Sequence, residues 1–413
     1  MVKRAVLAAI RIDQSESEFD AALLETESLC EACEINVIAK FTQNSRSMDP
    51  NTGFRSGKLK EISAYCAECD PDLIVFHNPV SIQISERVSA ECGVNVIDRT
   101  ALILDIFAAR ARSTQAKLQV EMARLQYDLP RALNSSADEA GHERGGSAYN
   151  RGAGEMRSRL VQRRYSERIA SLRKDLEKIK KQKYQDERRR TRTMMRRVAL
   201  VGYTNAGKSS LMNAMIKAGS GQGTEVYEED MLFATLDTSV RMIPFKGRKF
   251  LLYDTVGFVS DLPHTLIDAF QATLDAARDA DLLVHVIDSS DPMYERKADI
   301  TADTLRQIHA DEIPLIRVYT KSDLCKNDIV MEQGMLVSAK TGEGIEEFME
   351  HMLNTLYPAE DCVKCLIPYE KMAMADAYRS VLLIRTIEHT EEGMICELCG
   401  PRRYTAAFRH MKI

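Results

Sequence analysis

The run Gly202-Tyr203-Thr204-Asn205-Ala206-Gly207-Lys208-Ser209-Ser210 constrains this chain more than any other feature. It follows the apolar stretch Val198 to Val201 and opens an amphipathic segment, Leu211 to Lys217. The order is that of a strand, a glycine-rich turn and a helix N-terminus, which belongs in an α/β sheet. Gly202 and Gly207 let successive backbone N–H groups converge on phosphate, Lys208 reaches the terminal phosphates, and the Ser209 hydroxyl can ligate Mg2+. The pattern predicts a mononucleotide site.

Three further segments follow in order. Thr235, within Phe233-Ala234-Thr235-Leu236-Asp237, lies in a polar stretch and is expected to act as a switch, its hydroxyl reaching Mg2+ only when a γ-phosphate is present. Asp254-Thr255-Val256-Gly257 follows the strand-like KFLLYD; Asp254 is placed to hold the metal through water, and the Gly257 N–H to read the γ-phosphate. Thr320-Lys321-Ser322-Asp323 follows the apolar LIRVY. The Asp323 carboxylate can accept two hydrogen bonds from guanine, whereas adenine offers no such pair, so GTP is selected over ATP. Lys321 packs its stem along loop and base, and Ser338-Ala339-Lys340 completes the base pocket, with the Ala339 N–H directed at the guanine oxygen. The expected metal ligands are Ser209, Thr235 and Asp254, and the expected catalytic contributors are Lys208, Thr235 and Gly257.

Phe258 occupies the position after Gly257 where many GTPases carry a water-orienting glutamine. A phenyl ring cannot hold water, so the water positioner must come from the backbone, another side chain, a monovalent cation or a partner, and slow intrinsic turnover is expected. Asn205 stands where related GTPases without the glutamine use asparagine to help hold K+; a plain turn-forming role is the alternative.

A length of 413 residues suggests about three domains. Asp105 and His285 interrupt the most apolar stretches, so no run approaches the roughly 20 residues needed to span a bilayer. The opening MVKRAVLAAIRID is too short for a signal peptide and carries Arg11 and Asp13 where cleavage would occur, so it reads as a first strand. Eight of the ten cysteines form four C-x-x-C pairs: Cys30/Cys33, Cys66/Cys69, Cys362/Cys365 and Cys396/Cys399. The last two have zinc-ribbon order but lie in strand-like stretches, where side chains at i and i+3 face opposite ways; buried or idle thiols are expected over structural zinc. The formal charge of −5 conceals a segregation: Glu155 to Arg197 holds 17 Arg or Lys and 6 Asp or Glu, a local +11, so the rest sums to −16. A polyanion at one surface is favoured over a solvated helix face.

The pattern divides the chain into residues 1–99, a small parallel α/β domain; 100–196, a long antiparallel helical hairpin; 197–357, the nucleotide domain; and 358–413, a small α+β appendage. Residues 44–57 form a polar loop after the second strand, where open α/β sheets bind ligands, or a plain connection. One long helix is expected over Thr100 to Tyr127, ended by Pro130, and a second from near Glu155; between them Arg131 to Gly154 holds five glycines and reads as a mobile tip.

VGYTNAGKSS, MLFATLD, DTVGFVSDLPH, TKSD and SAKTGEG, with NVIDRTALILDIFAARARSTQAKLQVEMARLQYDLPR upstream, resemble the HflX family of ribosome-associated GTPases over nearly the whole chain. The resemblance implies an N-terminal α/β domain, a helical hairpin touching large-subunit ribosomal RNA, and a GTPase domain. It implies Mg2+ with GTP or GDP, a monomer without a membrane span, and a cytoplasmic location with peripheral membrane association left open. The family's nucleotide residues fall on Gly202 to Ser209, Thr235, Asp254 to Gly257, Thr320 to Asp323 and Ser338 to Lys340. Three departures stand out. The hairpin segment reads GGSAYNRGAGEMRSRLVQRR where the family has a pattern near GGxGxRGPGETQLExDRR, FRSGK at 54–58 replaces YxGxGK, and Thr320 stands where asparagine is usual. Two readings remain: a GTPase coupled to large-subunit binding, with splitting or rescue of stalled ribosomes as its task, or a nucleotide-gated RNA-binding, anti-association factor with negligible turnover.

Overall fold

The computed structural model describes residues 2–142, 149–190, 195–219, 239–260, 271–325, 334–357, 361–378 and 382–413. The chain divides into two compact units, with the boundary inside a long helix at residues 179 and 180.

The first unit opens with strands β1 (Lys3–Arg11), β2 (Ile35–Asn44), β3 (Leu73–Phe76) and β4 (Asn95–Asp98), all parallel in the order β2-β1-β3-β4. β1 is buried over six consecutive residues because helices cover both faces of a parallel sheet. Helix α1 (Glu16–Ala32) starts at a capping box, Ser15 with Glu18; α2 (Ser56–Cys69) follows the 45–55 loop; α3 (Ile82–Cys92) is capped by Ser81 and ends at Gly93. The strand order reverses between β1 and β3, the usual ligand crevice of such sheets. There the Asn78 side chain accepts from the Ile10 N–H at 2.7 Å and donates to the Ile10 carbonyl at 2.9 Å, extending the sheet by one side chain.

The helical region departs from expectation. In place of one helix over 100–127 there are two, α4 (Arg99–Arg110) and α5 (Thr114–His142). Ala111 is extended, and the Ser113 hydroxyl accepts from the Ala116 N–H at 3.1 Å, starting a new helix instead of continuing the old one. Pro130 lies inside α5 and does not end it. Helix α6 runs Tyr149–Arg190, so residues 131–142 and 149–154 of the expected loop are helical; only 143–148 lie outside the described residues. Each glycine costs a helix about 1 kcal/mol, which cooperative extension of a long helix can carry. Arg168 of α6 and Glu121 of α5 form an ion pair at 2.6 Å, and Ile169 and Leu172 are buried.

In the second unit a six-stranded sheet has the order β10-β9-β8-β5-β7-β6. Its members are β5 (Arg196–Gly202), β6 (Ser239–Phe245), β7 (Arg248–Asp254), β8 (Leu282–Asp288), β9 (Leu315–Thr320) and β10 (Gly334–Leu336). All are parallel except β6, which is antiparallel to β7. Helix α7 (Lys208–Gly219) and the helix Ile345–Leu356 cover one face, packing Leu211, Met215, Phe348 and Met352 against Leu200, Leu252, Val284 and Val318. Gly202, Asp254, Asp288 and Thr320 end β5, β7, β8 and β9, so parallel pairing alone brings three motif residues, and Asp288 with them, to one edge.

The C-terminal segment is an antiparallel sheet, β11 (Asp361–Pro368), β13 (Gly393–Gly400) and β12 (Leu383–His389), in that order. Here the expectation of idle thiols needs correction, because Cys362 and Cys399 form a disulfide. They sit directly opposite each other with Cα atoms 4.1 Å apart, the spacing of a narrow cross-strand pair. Cys365 and Cys396 are also opposite, but three residues along each strand changes both the pair type and the face. They remain buried free thiols in the core with Phe408. Among the described residues no cluster suited to a metal ion is found, and no helix is long and apolar enough to cross a membrane.

Candidate nucleotide-binding site

The loop 202–209 is held close to its neighbours by two glycines. A Cβ on Gly202 would lie 2.3 Å from the Val286 carbonyl of β8, so only glycine lets β5 turn there. A Cβ on Gly257 would lie 2.7 Å from Thr204 Cα and 3.0 Å from Lys208 Nζ. Asn205, exposed at the loop tip, adopts a left-handed backbone with φ 61°, which asparagine tolerates better than most residues.

Lys208 is buried, and its ammonium donates to the carbonyls of Gly202 at 3.1 Å and Tyr203 at 2.7 Å. Burial pushes its pKa down to about 8, against a smaller upward pull from Asp254. Lys208 opens α7, and Ser209 and Ser210 follow in the first turn, where backbone N–H groups lack intrahelical acceptors. The Ser209 hydroxyl donates to Asp254 Oδ2 at 2.6 Å. A hydroxyl and a fully buried carboxylate in contact are hard oxygen donors of the kind Mg2+ takes alongside phosphate and water. Thr255 is locked by donating to the Leu200 carbonyl at 2.7 Å, and Val256 is buried.

At the other end of the edge, the Thr320 hydroxyl lies 2.6 Å from the Ala206 carbonyl and 3.1 Å from that of Ile287. It thus reaches the phosphate loop as an asparagine amide would, though one hydroxyl has no second donor left for the base. Lys321 pairs with Asp288 at 2.7 Å. Ser338 donates to Asp323 Oδ1 at 2.7 Å and accepts from the Thr341 N–H at 3.1 Å, which orients the exposed Asp323 carboxylate. Ala339 is half-buried and Lys340 exposed beside it. Thr235 lies outside the described residues.

Sequence reasoning missed how the loop is tied to the segment after Gly257. The Thr204 N–H donates to the Phe258 carbonyl at 2.7 Å, and the Phe258 N–H donates to the Gly202 carbonyl at 3.1 Å. The Tyr203 hydroxyl lies 2.6 Å from Ser260 Oγ and accepts from the Ser260 N–H at 2.7 Å. No sequence signal marks these contacts. Asp288 was also missed, although its place at a strand end, level with Thr320, was a signal available to find it.

The chain is similar to known proteins over most of its length. Residues 20–108 match the family model described as GTP-binding GTPase N-terminal, residues 110–190 the GTP-binding GTPase middle region, and residues 197–321 the 50S ribosome-binding GTPase. A protein of Alkalihalophilus pseudofirmus named GTPase HflX is 34% identical over 399 residues, 95% of this chain and 90% of its own length. One of the same name from Gluconacetobacter diazotrophicus is 42% identical over 351 residues, 83% of this chain and 74% of its length. A GTP-binding protein from the archaeon Sulfolobus solfataricus, solved in complex with GDP, aligns with 86% of this chain and 98% of its own at 23% identity, with a TM-score of 0.45.

Proposed function

The chain belongs to the HflX family of GTPases, and from that membership we propose that its hydrolysis of GTP is coupled to binding and release of the large ribosomal subunit. The observation that carries this reading is the long α6, whose exposed Arg164, Arg173, Lys174, Lys180 and Lys181 offer phosphate contacts on a chain that is otherwise acidic. The match of the nucleotide domain to a 50S ribosome-binding GTPase supports the same partner.

In the proposed site the N–H groups of residues 205 and 207–210 and the Lys208 ammonium cradle the phosphates, while Asp323, Ala339 and Lys321 read and cover the guanine, with Ser338 orienting Asp323 and Lys340 at the rim. Thr320 ties that half to the phosphate loop through Ala206. Mg2+, held by Ser209 with Asp254 and Thr235 around it, would supply charge neutralisation at the terminal phosphates. Gly257 sits against Lys208, where a γ-phosphate must fit. Entry of GTP therefore requires Gly257 to draw back from Lys208, a shift that GDP, which lacks the γ-phosphate, does not demand. That difference couples nucleotide state to conformation.

Phe258 favours the second reading, a nucleotide-gated RNA-binding factor that hardly turns over, because its ring is buried and offers the water nothing. Measuring GTP hydrolysis with and without purified 50S subunits, in K+ and in Na+, separates the two. Stimulation by subunits is expected, and a faster rate in K+ would give Asn205 its cation-holding role. Absence of turnover under every condition would refute the enzyme reading.

A further inference from the structure

Phe258 leaves the attacking water without a side-chain holder, and one side chain of the phosphate loop is equipped to replace it. Thr204 is buried, 6% exposed, and its Oγ1 is enclosed with no hydrogen-bond partner among the described residues. A buried hydroxyl in that state is costly, and such a group in a native protein calls for a reason. Its backbone is anchored by the 2.7 Å bond from the Thr204 N–H to the Phe258 carbonyl, so the side chain has little freedom except rotation about χ1.

The position of that side chain supplies the reason. A Cβ built on Gly257 would lie 2.7 Å from Thr204 Cα, 2.8 Å from Thr204 Cγ2 and 3.0 Å from Lys208 Nζ. Thr204, Gly257 and the ammonium that meets the terminal phosphates therefore border one point. In this conformation the threonine methyl faces that point, and a turn of about 120° about χ1 exchanges it for the hydroxyl.

We propose that Thr204 is a catalytic residue of GTP hydrolysis, its hydroxyl holding the attacking water in place of the amide that Phe258 lacks. The inference rests on the reading of residues 202–209 as the GTP site. The hydroxyl accepts a hydrogen bond from the water and aims an oxygen lone pair at the γ-phosphorus. The water oxygen forms its bond to phosphorus as the bond to the β–γ bridging oxygen breaks; that oxygen leaves on GDP with the electron pair, and the water protons pass to the released phosphate and solvent. Thr204 keeps its own proton and serves as neither base nor nucleophile.

The test compares the full-length chain with Thr204→Val, which keeps the shape without the hydroxyl, and with Thr204→Ser. Three quantities are read: the single-turnover rate at saturating GTP, the affinities for GDP and GTP, and the gain in GDP affinity on adding aluminium fluoride, which mimics the phosphoryl group in flight. Thr204→Val should hold GDP and GTP as tightly as wild type, hydrolyse about 10²-fold more slowly and lose the aluminium fluoride gain, while Thr204→Ser recovers most of both. A Thr204→Val rate within a few-fold of wild type with the gain intact overturns the proposal, as does a rate loss matched by an equal loss of GDP affinity, or a wild-type chain without turnover. Lys208→Ala, run alongside, should abolish nucleotide binding; if it binds and hydrolyses GTP normally, the site itself is misassigned and the failure does not concern Thr204.

Discussion

The buried ammonium of Lys208 makes nucleotide affinity a function of pH in a window that can be worked from the structure. With its pKa pushed from the ordinary 10.5 to about 8 by burial, the group is half neutral near pH 8 in the nucleotide-free protein. Phosphates favour the charged form, so binding above that pH must take up a proton. Affinity should therefore be flat below about pH 7, weaken about twofold by pH 8 and about tenfold by pH 9, which corresponds to about 1.4 kcal/mol. The sign for folding is opposite. Because the unfolded lysine binds its proton more tightly, the nucleotide-free protein gains about 1.4 kcal/mol of stability between pH 7 and pH 9. His285 of β8 does not obscure this, because it is neutral across the window, its pKa pushed down to about 4 by burial and then by Arg317 and Lys208. The assay is the dissociation constant of a fluorescent GDP between pH 6.5 and 9, with proton uptake measured calorimetrically in two buffers of different ionisation enthalpy. Lys208→Arg, always charged, should show no such slope. A flat profile in the wild type with no proton uptake at pH 9 would refute the reasoning.

Other outcomes follow from the same geometry. Asp323→Asn should weaken GTP by 10²-fold or more, a loss on the order of 3 kcal/mol for an unpaired polar contact, and improve binding of xanthosine triphosphate; competition binding decides it. Reversing Arg164, Arg173 and Lys174 to glutamate should flatten the plot of log affinity for 50S subunits against log salt by up to about three units of slope and leave GDP binding intact; an unchanged slope would move the RNA contact elsewhere. Replacing Cys362 and Cys399 together by serine opens a bridge spanning 37 residues, for which chain entropy gives at most about 4 kcal/mol. Thermal unfolding of wild type should fall with reductant to the level of the double variant, and a reductant-insensitive midpoint would count against the bridge.

The sequence by itself determined the identity and order of the nucleotide motifs, because each is a short run whose chemistry depends on local spacing: two glycines and a lysine in one turn, an aspartate at a strand end. Parallel pairing then carries them to a common edge with no further information, which is why Gly202, Asp254 and Thr320 were legible before any coordinates. The tertiary structure decided what depends on register and environment. Whether Pro130 stops a helix depends on the stability of the helix around it, and the composition of residues 131–142 and 149–154 misled for the same reason. The choice between bridged and free cysteines turned on which of two cross-strand pairs is narrow, an alternation invisible in C-x-x-C spacing. The enclosed Thr204 hydroxyl, the tie from Tyr203 to Ser260 and the depressed pKa of Lys208 arise because residues more than fifty positions apart, or a whole buried environment, close around one atom. Local spacing records which groups are present; solvation and packing, which set how strongly they act, are properties of the assembled fold.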